Sequence, residues 1–306
     1  MNRTGLRQAT RIGPLPGALL ALDLVMLPAA GLAPQSARAQ DVDPRMRPAE
    51  GALARGDFGQ AIDILKPLAS GGFAPAQLLL AQTLETAPAP HGDPTAAAGW
   101  YLRAAQSGVA EAQNNLGAML YDGRGVQKDL AEAVKWYRAA AERNYPIAQY
   151  NLGLLYGKGL GVAADPAQMA HWMERAARGG LPAAQAQLGR FYLDGDGVRA
   201  DPVQAARWFR AAAAQGHAWG RYYYASLLQK GLGVQRDLAA AHAEYLRAAQ
   251  SGNAMAMEAL SRIYEMGLGV AADDKQAAHW KQRAAQLSPA SPAASSSTPS
   301  ATGTKP

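Results

Sequence analysis

A chain of 306 residues that is 49% hydrophobic, with 32 Gly and 19 Pro, is long enough to bury a sizeable core. It holds no cysteine, which excludes disulfides, thiolate metal sites, a cysteine nucleophile and a lipoprotein anchor. The formal net charge of +6 is spread without a dense basic run, so a surface that tracks nucleic acid is not expected.

The first 39 residues read as an export signal. Arg3, Arg7 and Arg11 form a basic start, and an apolar stretch runs from about Leu15 to Ala33. Ala37-Arg38-Ala39 is a small-x-small cleavage site that leaves Gln40 as the mature N-terminus. Cleavage there implies a periplasmic or secreted protein. Asp23 sits within the apolar stretch, where a carboxylate costs roughly 2.5–3.5 kcal/mol of insertion, and an uncleaved N-terminal membrane anchor is the competing reading. Nothing after residue 40 approaches the roughly 20 apolar residues of a second span. Loss of residues 1–39 takes four Arg and one Asp from the 30 Lys+Arg and 24 Asp+Glu, leaving 26 against 23.

From there the chain repeats. Gly125, Gly161, Gly197, Gly233 and Gly269 stand 36 residues apart, each followed by valine, and a spacing without drift marks one supersecondary unit copied in tandem. Asp57, Asp93, Asp129, Asp165, Asp201, Asp237 and Asp273 share one register, with Pro next at 94, 166 and 202. Asp then Pro before an apolar-periodic run predicts a helix N-cap with proline at the first helical position. Seven residues after the Asp come Trp100, Trp136, Trp172, Trp208 and Trp280, with Glu244 interrupting the series. Ala133, Trp136, Tyr137, Ala140 and Ala141 follow the spacing i, i+3, i+4, i+7, i+8 of one buried helical stripe, the indole filling the groove beside the alanines. Gly72, Gly108, Asn144, Gly180, Gly216 and Gly252 are residues that tolerate a left-handed helix end.

The other helix of each copy carries Ala112, Leu116, Gly117 and Leu120, matched by Ala148, Leu152, Gly153 and Tyr156, then by Ala184, Leu188, Gly189 and Tyr192. The period is again helical, with a small residue at the crossing point, and the Gly-x-Gly-Val loop joins the two helices. An antiparallel helix pair cannot bury its own apolar face, so neighbours must stack. The expected fold is all-α: a right-handed α-solenoid superhelix of stacked antiparallel helix pairs in 36-residue repeats.

The Ala-x-x-x-Leu-Gly-x-x-Tyr run, the Gly-x-Gly-Val loop, the Asp, the Ala-x-x-Trp-Tyr and the Ala-Ala-x-x-Gly together resemble the Sel-1-like repeat family, a relative of the tetratricopeptide repeat, over about residues 57–286. Around residues 85–92 the loop reads Glu-Thr-Ala-Pro-Ala-Pro-His-Gly, so the first unit is degenerate. Residues 48–72 read as a helix pair with a tighter loop. At the far end Lys281 stands where other copies have Tyr101, Tyr137 and Phe209, which suits a capping helix whose outer face meets water. The solenoid thus spans residues 40–286 with about six to seven repeats. Residues 287–306, rich in Ser, Pro and Ala, have too little apolar bulk to offset ordering entropy and read as a disordered tail.

Catalytic and cofactor chemistry finds no place in this pattern. Gly157-Lys158-Gly159-Leu160-Gly161 follows a helix and leads to Asp165, whose charge repels phosphate, so it is a turn and no nucleotide cradle. Asp194-Gly195-Asp196-Gly197 lacks the bidentate Glu of a calcium loop, with Ala205 at the twelfth position. His171 and His279 share a register three copies apart, too far to share a metal. No HExxH or GxSxG spacing occurs, and Arg55-Gly56-Asp57 ends in the capping register. No metal, no cofactor and no catalysis are expected.

What remains is where the copies differ. One face of the first helix lies off the buried stripe, at Glu111, Ile147, Ala183, Trp219 and Met255, then Asn115, Asn151, Gln187, Tyr223 and Ala259, then Ala118, Leu154, Arg190, Ser226 and Arg262. In stacked pairs of the kind the resemblance implies, first helices form the concave wall. The fifth copy places Trp219, Arg221, Tyr222, Tyr223 and Tyr224 where others carry small or amide residues. Trp, Tyr and Arg are the types enriched at binding hot spots, although Tyr224 falls in the Leu188 register and reads as core. Asn115, Asn151 and Gln187 can hydrogen-bond an extended peptide backbone or sugar hydroxyls. Asn115, Asn151, Gln187, Arg190, Trp219, Arg221, Tyr222 and Tyr223 are therefore the candidate partner-binding residues. The leading reading is an exported bacterial adaptor that binds another protein in the cell envelope. The resemblance also allows a polysaccharide-binding scaffold of a secretion machine, and an enzyme acting on β-lactams, a branch of the family whose cysteines this chain lacks.

Overall fold

Each helix starts and stops where its local chemistry demands. In the computed structural model residues 43–287 are described. The export signal expected over 1–39 and the tail expected after 286 lie outside them, except for Leu287, which closes the last helix. Among the described residues there are fourteen helices and no strand. They are α1 (Arg47–Ala54), α2 (Phe58–Ser70), α3 (Ala74–Thr86), α4 (Pro94–Gln106), α5 (Ala110–Asp122), α6 (Leu130–Glu142), α7 (Pro146–Lys158), α8 (Pro166–Arg178), α9 (Pro182–Asp194), α10 (Pro202–Ala214), α11 (Ala218–Lys230), α12 (Leu238–Gln250), α13 (Ala254–Met266) and α14 (Asp274–Leu287). The all-α, stacked helix-pair class read from the sequence is the one observed.

The aspartate register works as expected. The carboxylates of Asp57, Asp93, Asp129 and Asp237 accept from the N–H three residues on, at 2.9–3.0 Å, and Asp165, Asp201 and Asp273 accept from two such groups. Each cap is worth about 1 kcal/mol. The same residue closes the loop behind it: the backbone N–H of Asp129 donates to Leu120 O at 2.9 Å, and that of Asp237 to Leu228 O at 3.0 Å. The degenerate first loop keeps this bond, from Asp93 to Leu84 O at 2.8 Å. At the far ends Gly72, Gly108, Asn144, Gly180, Gly216 and Gly252 all take positive φ.

The chain divides into two compact units, with the boundary between Trp172 and Met173 inside α8. In the first, α1 to α7 pack each against the next; in the second, α9 to α14 do so, and α9 also touches α11. The core follows the alanine stripe, with one correction. Tyr101, Tyr137 and Phe209 are at most 1% exposed, whereas Trp100, Trp136 and Trp208 are only half-buried; of the five, Trp172 and Trp280 alone are buried. The residue after the tryptophan fills the core because the facing helix leaves an opening for it. A Cβ on Gly117 would lie 3.1 Å from the Tyr137 ring, and one on Gly189 2.8 Å from Phe209. Burying one such ring stabilises by about 1.5–3 kcal/mol. Lys281, at the same register in α14, is exposed, as expected of a capping helix.

The glycines of the Gly-Val pair do more than turn the chain. Gly125 has φ 68°, and a Cβ there would stand 2.2 Å from Pro94 O, in the first turn of α4. Gly161 stands likewise over Leu130 O of α6 at 2.2 Å, and Gly233 over Pro202 O of α10 at 2.1 Å. These three loops are thus seated on the capped start of the second helix one repeat back. In the degenerate loop a side chain takes this place: the His91 ring lies 3.1 Å from where a Cβ on Gly59 of α2 would be.

Two costs can therefore be separated. Gly72→Ala, at φ 85° with nothing within 4 Å, is expected to lose only the left-handed strain, about 1–2 kcal/mol. Gly125→Ala is expected to lose that and about 1–3 kcal/mol more, because backbone atoms must move. Urea titrations of both variants against the parent measure the difference.

Candidate partner-binding faces

In the first unit the amide band is already hydrogen-bonded. Asn114 Nδ2 donates to Asn115 Oδ1 at 3.1 Å, and Asn151 Nδ2 donates to Asn114 Oδ1 at 3.2 Å. Asn151 is 1% exposed and its Oδ1 has no partner. Beside this ladder the Tyr101 hydroxyl donates to Glu85 Oε2 at 2.7 Å, and the other Glu85 oxygen accepts from Arg124. Gln82 Nε2 donates to Glu111 Oε1 at 2.6 Å. Burial, with the Glu85 charge next, pushes the Tyr101 hydroxyl far above the usual phenol range, so it stays a neutral donor. Of the two asparagines singled out from the sequence, Asn115 keeps an open edge and Asn151 does not.

The expectation that this first-helix band lies off the buried stripe is corrected. Ile147 is 1% exposed and Leu154 0%, while Ala118, Ser226 and Ala259 are also buried. Within the units first helices meet: Asn151 of α7 reaches Asn114 of α5, and α9 touches α11. Gln187 is 9% exposed. The face is open at Glu111 and Asn115 in the first unit, and at Arg190, Trp219, Tyr223, Met255 and Arg262 in the second.

In the second unit the fifth-copy aromatics form one cluster. Tyr223 stacks on Phe209 with centroids 4.9 Å apart at 19°. Tyr222 meets Tyr223 at 5.2 Å, Trp219 at 5.9 Å and Tyr245 at 5.8 Å. Tyr222 is 8% exposed and belongs to the core, whereas Trp219 and Tyr223 are half-buried with outward edges. Tyr224, expected in the core, is also only half-buried, since a phenol is longer than the leucine of that register. Arg190 Nη2 lies 3.8 Å from Asp194 Oδ2. Burial raises the Tyr223 hydroxyl above its usual value, with Arg190 opposing it.

Arg221 has a structural task that the sequence did not disclose. Gln77, Gln113, Gln149 and Gln185 each donate Nε2 to the carbonyl eight residues back, in the last turn of the preceding helix, at 3.0–3.2 Å. Helix-end carbonyls lack intrahelical donors, and these side chains supply them. The recurrence of Gln at 36-residue spacing was the available signal. In the fifth copy Arg221 takes over, its Nε donating to Ala213 O at 3.2 Å. Its guanidinium then faces Glu244 at 3.9 Å, the residue that interrupts the tryptophan series, and Arg247 binds the other Glu244 oxygen at 2.6 Å. Two departures from the repeat are thus one interaction.

Among the described residues no cluster of His, Asp or Glu could hold a metal ion, and no helix is long and apolar enough to cross a membrane. His217, at the N-cap of α11, accepts the Gly220 N–H through Nδ1 at 3.1 Å, which requires the neutral ring. Burial lowers its affinity for protons. The unfolded chain then binds more protons than the folded one, so this cap is intact above the usual imidazole value of about 6.5 and is lost as pH falls through the lower folded value. The melting temperature is expected to drop from pH 7 to 5 more steeply in the parent than in His217→Asn, which keeps an acceptor without the titration. Paired thermal melts measure this.

A family model described as Sel1 repeat matches residues 74–109, 110–145, 146–181, 182–217, 220–253 and 254–289. Among solved structures, the chain is 31% identical to a protective antigen of uropathogenic Escherichia coli strains displaying an SLR fold, with a TM-score of 0.74 over 82% of this chain and 55% of that one. It therefore spans about half the length of that antigen. It is 32% identical to a Sel1 repeat protein from Oxalobacter formigenes, with a TM-score of 0.68 over 79% of this chain and 97% of that one. No curated protein matches. Six consecutive matches, in step with the observed helix pairs, establish that the chain belongs to the Sel1 repeat family.

Proposed function

We propose that this chain is an exported bacterial adaptor that binds a protein partner in the cell envelope and carries out no catalysis. Proteins built of Sel1 repeats generally mediate protein–protein interaction, and their helical scaffold is typically non-catalytic. The observation that carries the reading is the aromatic cluster of α11. Trp219 and Tyr223 keep outward edges while their inner faces are fixed by Tyr222 and Phe209. Rigid aromatics with a solvent-facing edge bury apolar area on docking at small entropic cost. Arg190 beside Tyr223, and Arg262 at the same register in α13, supply charge at the margins. Export rests on the basic-apolar-small pattern of residues 1–39, which the described residues do not include.

Pull-down from envelope fractions tests the reading, with the parent compared to Trp219→Ala/Tyr223→Ala. The double variant is expected to keep a helical circular-dichroism spectrum and to lose capture of one or a few envelope proteins. An unchanged capture profile contradicts the assignment of this face. Retention on a glycan array, lost in the same variant, would shift it to a polysaccharide.

A further inference from the structure

We infer that the second unit carries another binding site, a groove that takes an acidic peptide segment, separate from the first-helix face. The groove has a volume of about 950 Å³ and runs between the C-terminal part of α8, the end of α9, the loop 195–201 and the first turns of α10. Its walls include Arg178, Arg199, Arg207, Trp208 and Tyr192. The two carboxylates that line it are already engaged. Glu174 is paired with Arg178 at 2.7 Å, and Asp201 accepts the Val203 and Gln204 N–H groups at 2.9 and 3.2 Å. Among the described residues neither Arg199 nor Arg207 forms an ion pair, and both are exposed. Arg207 lies beside the Trp208 ring, 5.9 Å from its centroid.

Comparison with the other repeats separates scaffold from specialisation. Val198, Asp201 and Trp208 belong to registers that recur. Arg199 and Arg207 do not: their positions read Gln127 and Lys135, Ala163 and His171, Gln235 and Ala243, Ala271 and His279 in the other copies. No other repeat puts arginine at both. Two unpaired guanidiniums line one groove, that of Arg207 beside the Trp208 indole, and present donors in planar forks suited to carboxylates, with an apolar platform for the segment that carries them. The Asp201 carboxylate caps the positive end of α10, so the attraction comes from the arginines: Arg178, Arg199 and Arg207 against Glu174 and Asp201 leave the lining net positive. The groove is of a size that holds a few residues.

Fluorescence anisotropy with a labelled hexaglutamate peptide and the full chain tests the assignment. Saturable binding is expected, weakening as NaCl rises from about 0.05 to 0.5 M. Arg199→Ser/Arg207→Ser is expected to raise the Kd by about tenfold or more. Lys66→Ser/Lys275→Ser, which removes the same charge from exposed sites elsewhere, is expected to leave it unchanged. Arg199→Glu/Arg207→Glu should instead bind labelled hexalysine. Absence of binding at about 1 mM peptide, equal losses in the two serine variants, or tighter binding of a polyuronate than of hexaglutamate would each overturn the proposal. The serine variant should still capture the partner of the Trp219 face, so the two sites fail independently.

Discussion

Within each compact unit the stacking of repeats depends on a backbone-to-backbone contact. In the loops of Gly125, Gly161 and Gly233 a glycine with left-handed φ sits so close to the first turn of the second helix one repeat back that no side chain fits between them. Hydrophobic burial holds helix against helix without fixing how far one slides along the other. A glycine against a carbonyl fixes it to a fraction of an ångström, and the aspartate cap beneath it fixes where that helix begins. The glutamine that reaches back eight residues adds a second tie, from the first helix of a repeat to the end of the helix before it. Loop, cap and amide together convert a greasy stack into one with a set register.

A scaffold so closely specified leaves room for change only at certain positions. Substitutions persist where a register is not already committed to glycine, aspartate or the alanine pair. The fifth copy shows how such changes come in sets. Its aromatics interlock across α10, α11 and α12, so Tyr222 and Phe209 support the rings whose edges face outward. Its arginine replaces the glutamine tie and gains Glu244 as a neighbour, in place of a tryptophan. The arginines at 199 and 207 are a further departure, on the second-helix side of the same unit.

Much of the fold was legible because it is written in short-range chemistry. An N-capping aspartate, a proline at the first helical position and a left-handed glycine each act within a few residues, and their recurrence multiplied the signal. The residues misjudged are those whose surroundings come from another helix. Trp136 and Tyr137 are adjacent, and only the opening at Gly117 decides which one is buried. Asn151 looks like an exposed amide until the Asn114 side chain is placed against it. Ile147 and Leu154 were apolar members of a band read as open, and their own hydrophobicity was the clue to their burial. The task of Arg221 was hidden because its acceptor is a carbonyl, which no sequence pattern marks.

Hydrogen exchange on Gly161→Ala most directly tests whether the loop glycine locks one repeat to the one before. A methyl there collides with Leu130 O, so faster exchange is expected in the first turn of α6, at the capped amide of Glu132 and the buried amide of Ala133, as well as in the loop itself. Faster exchange confined to residues 159–164, with α6 protected as in the parent, would contradict it.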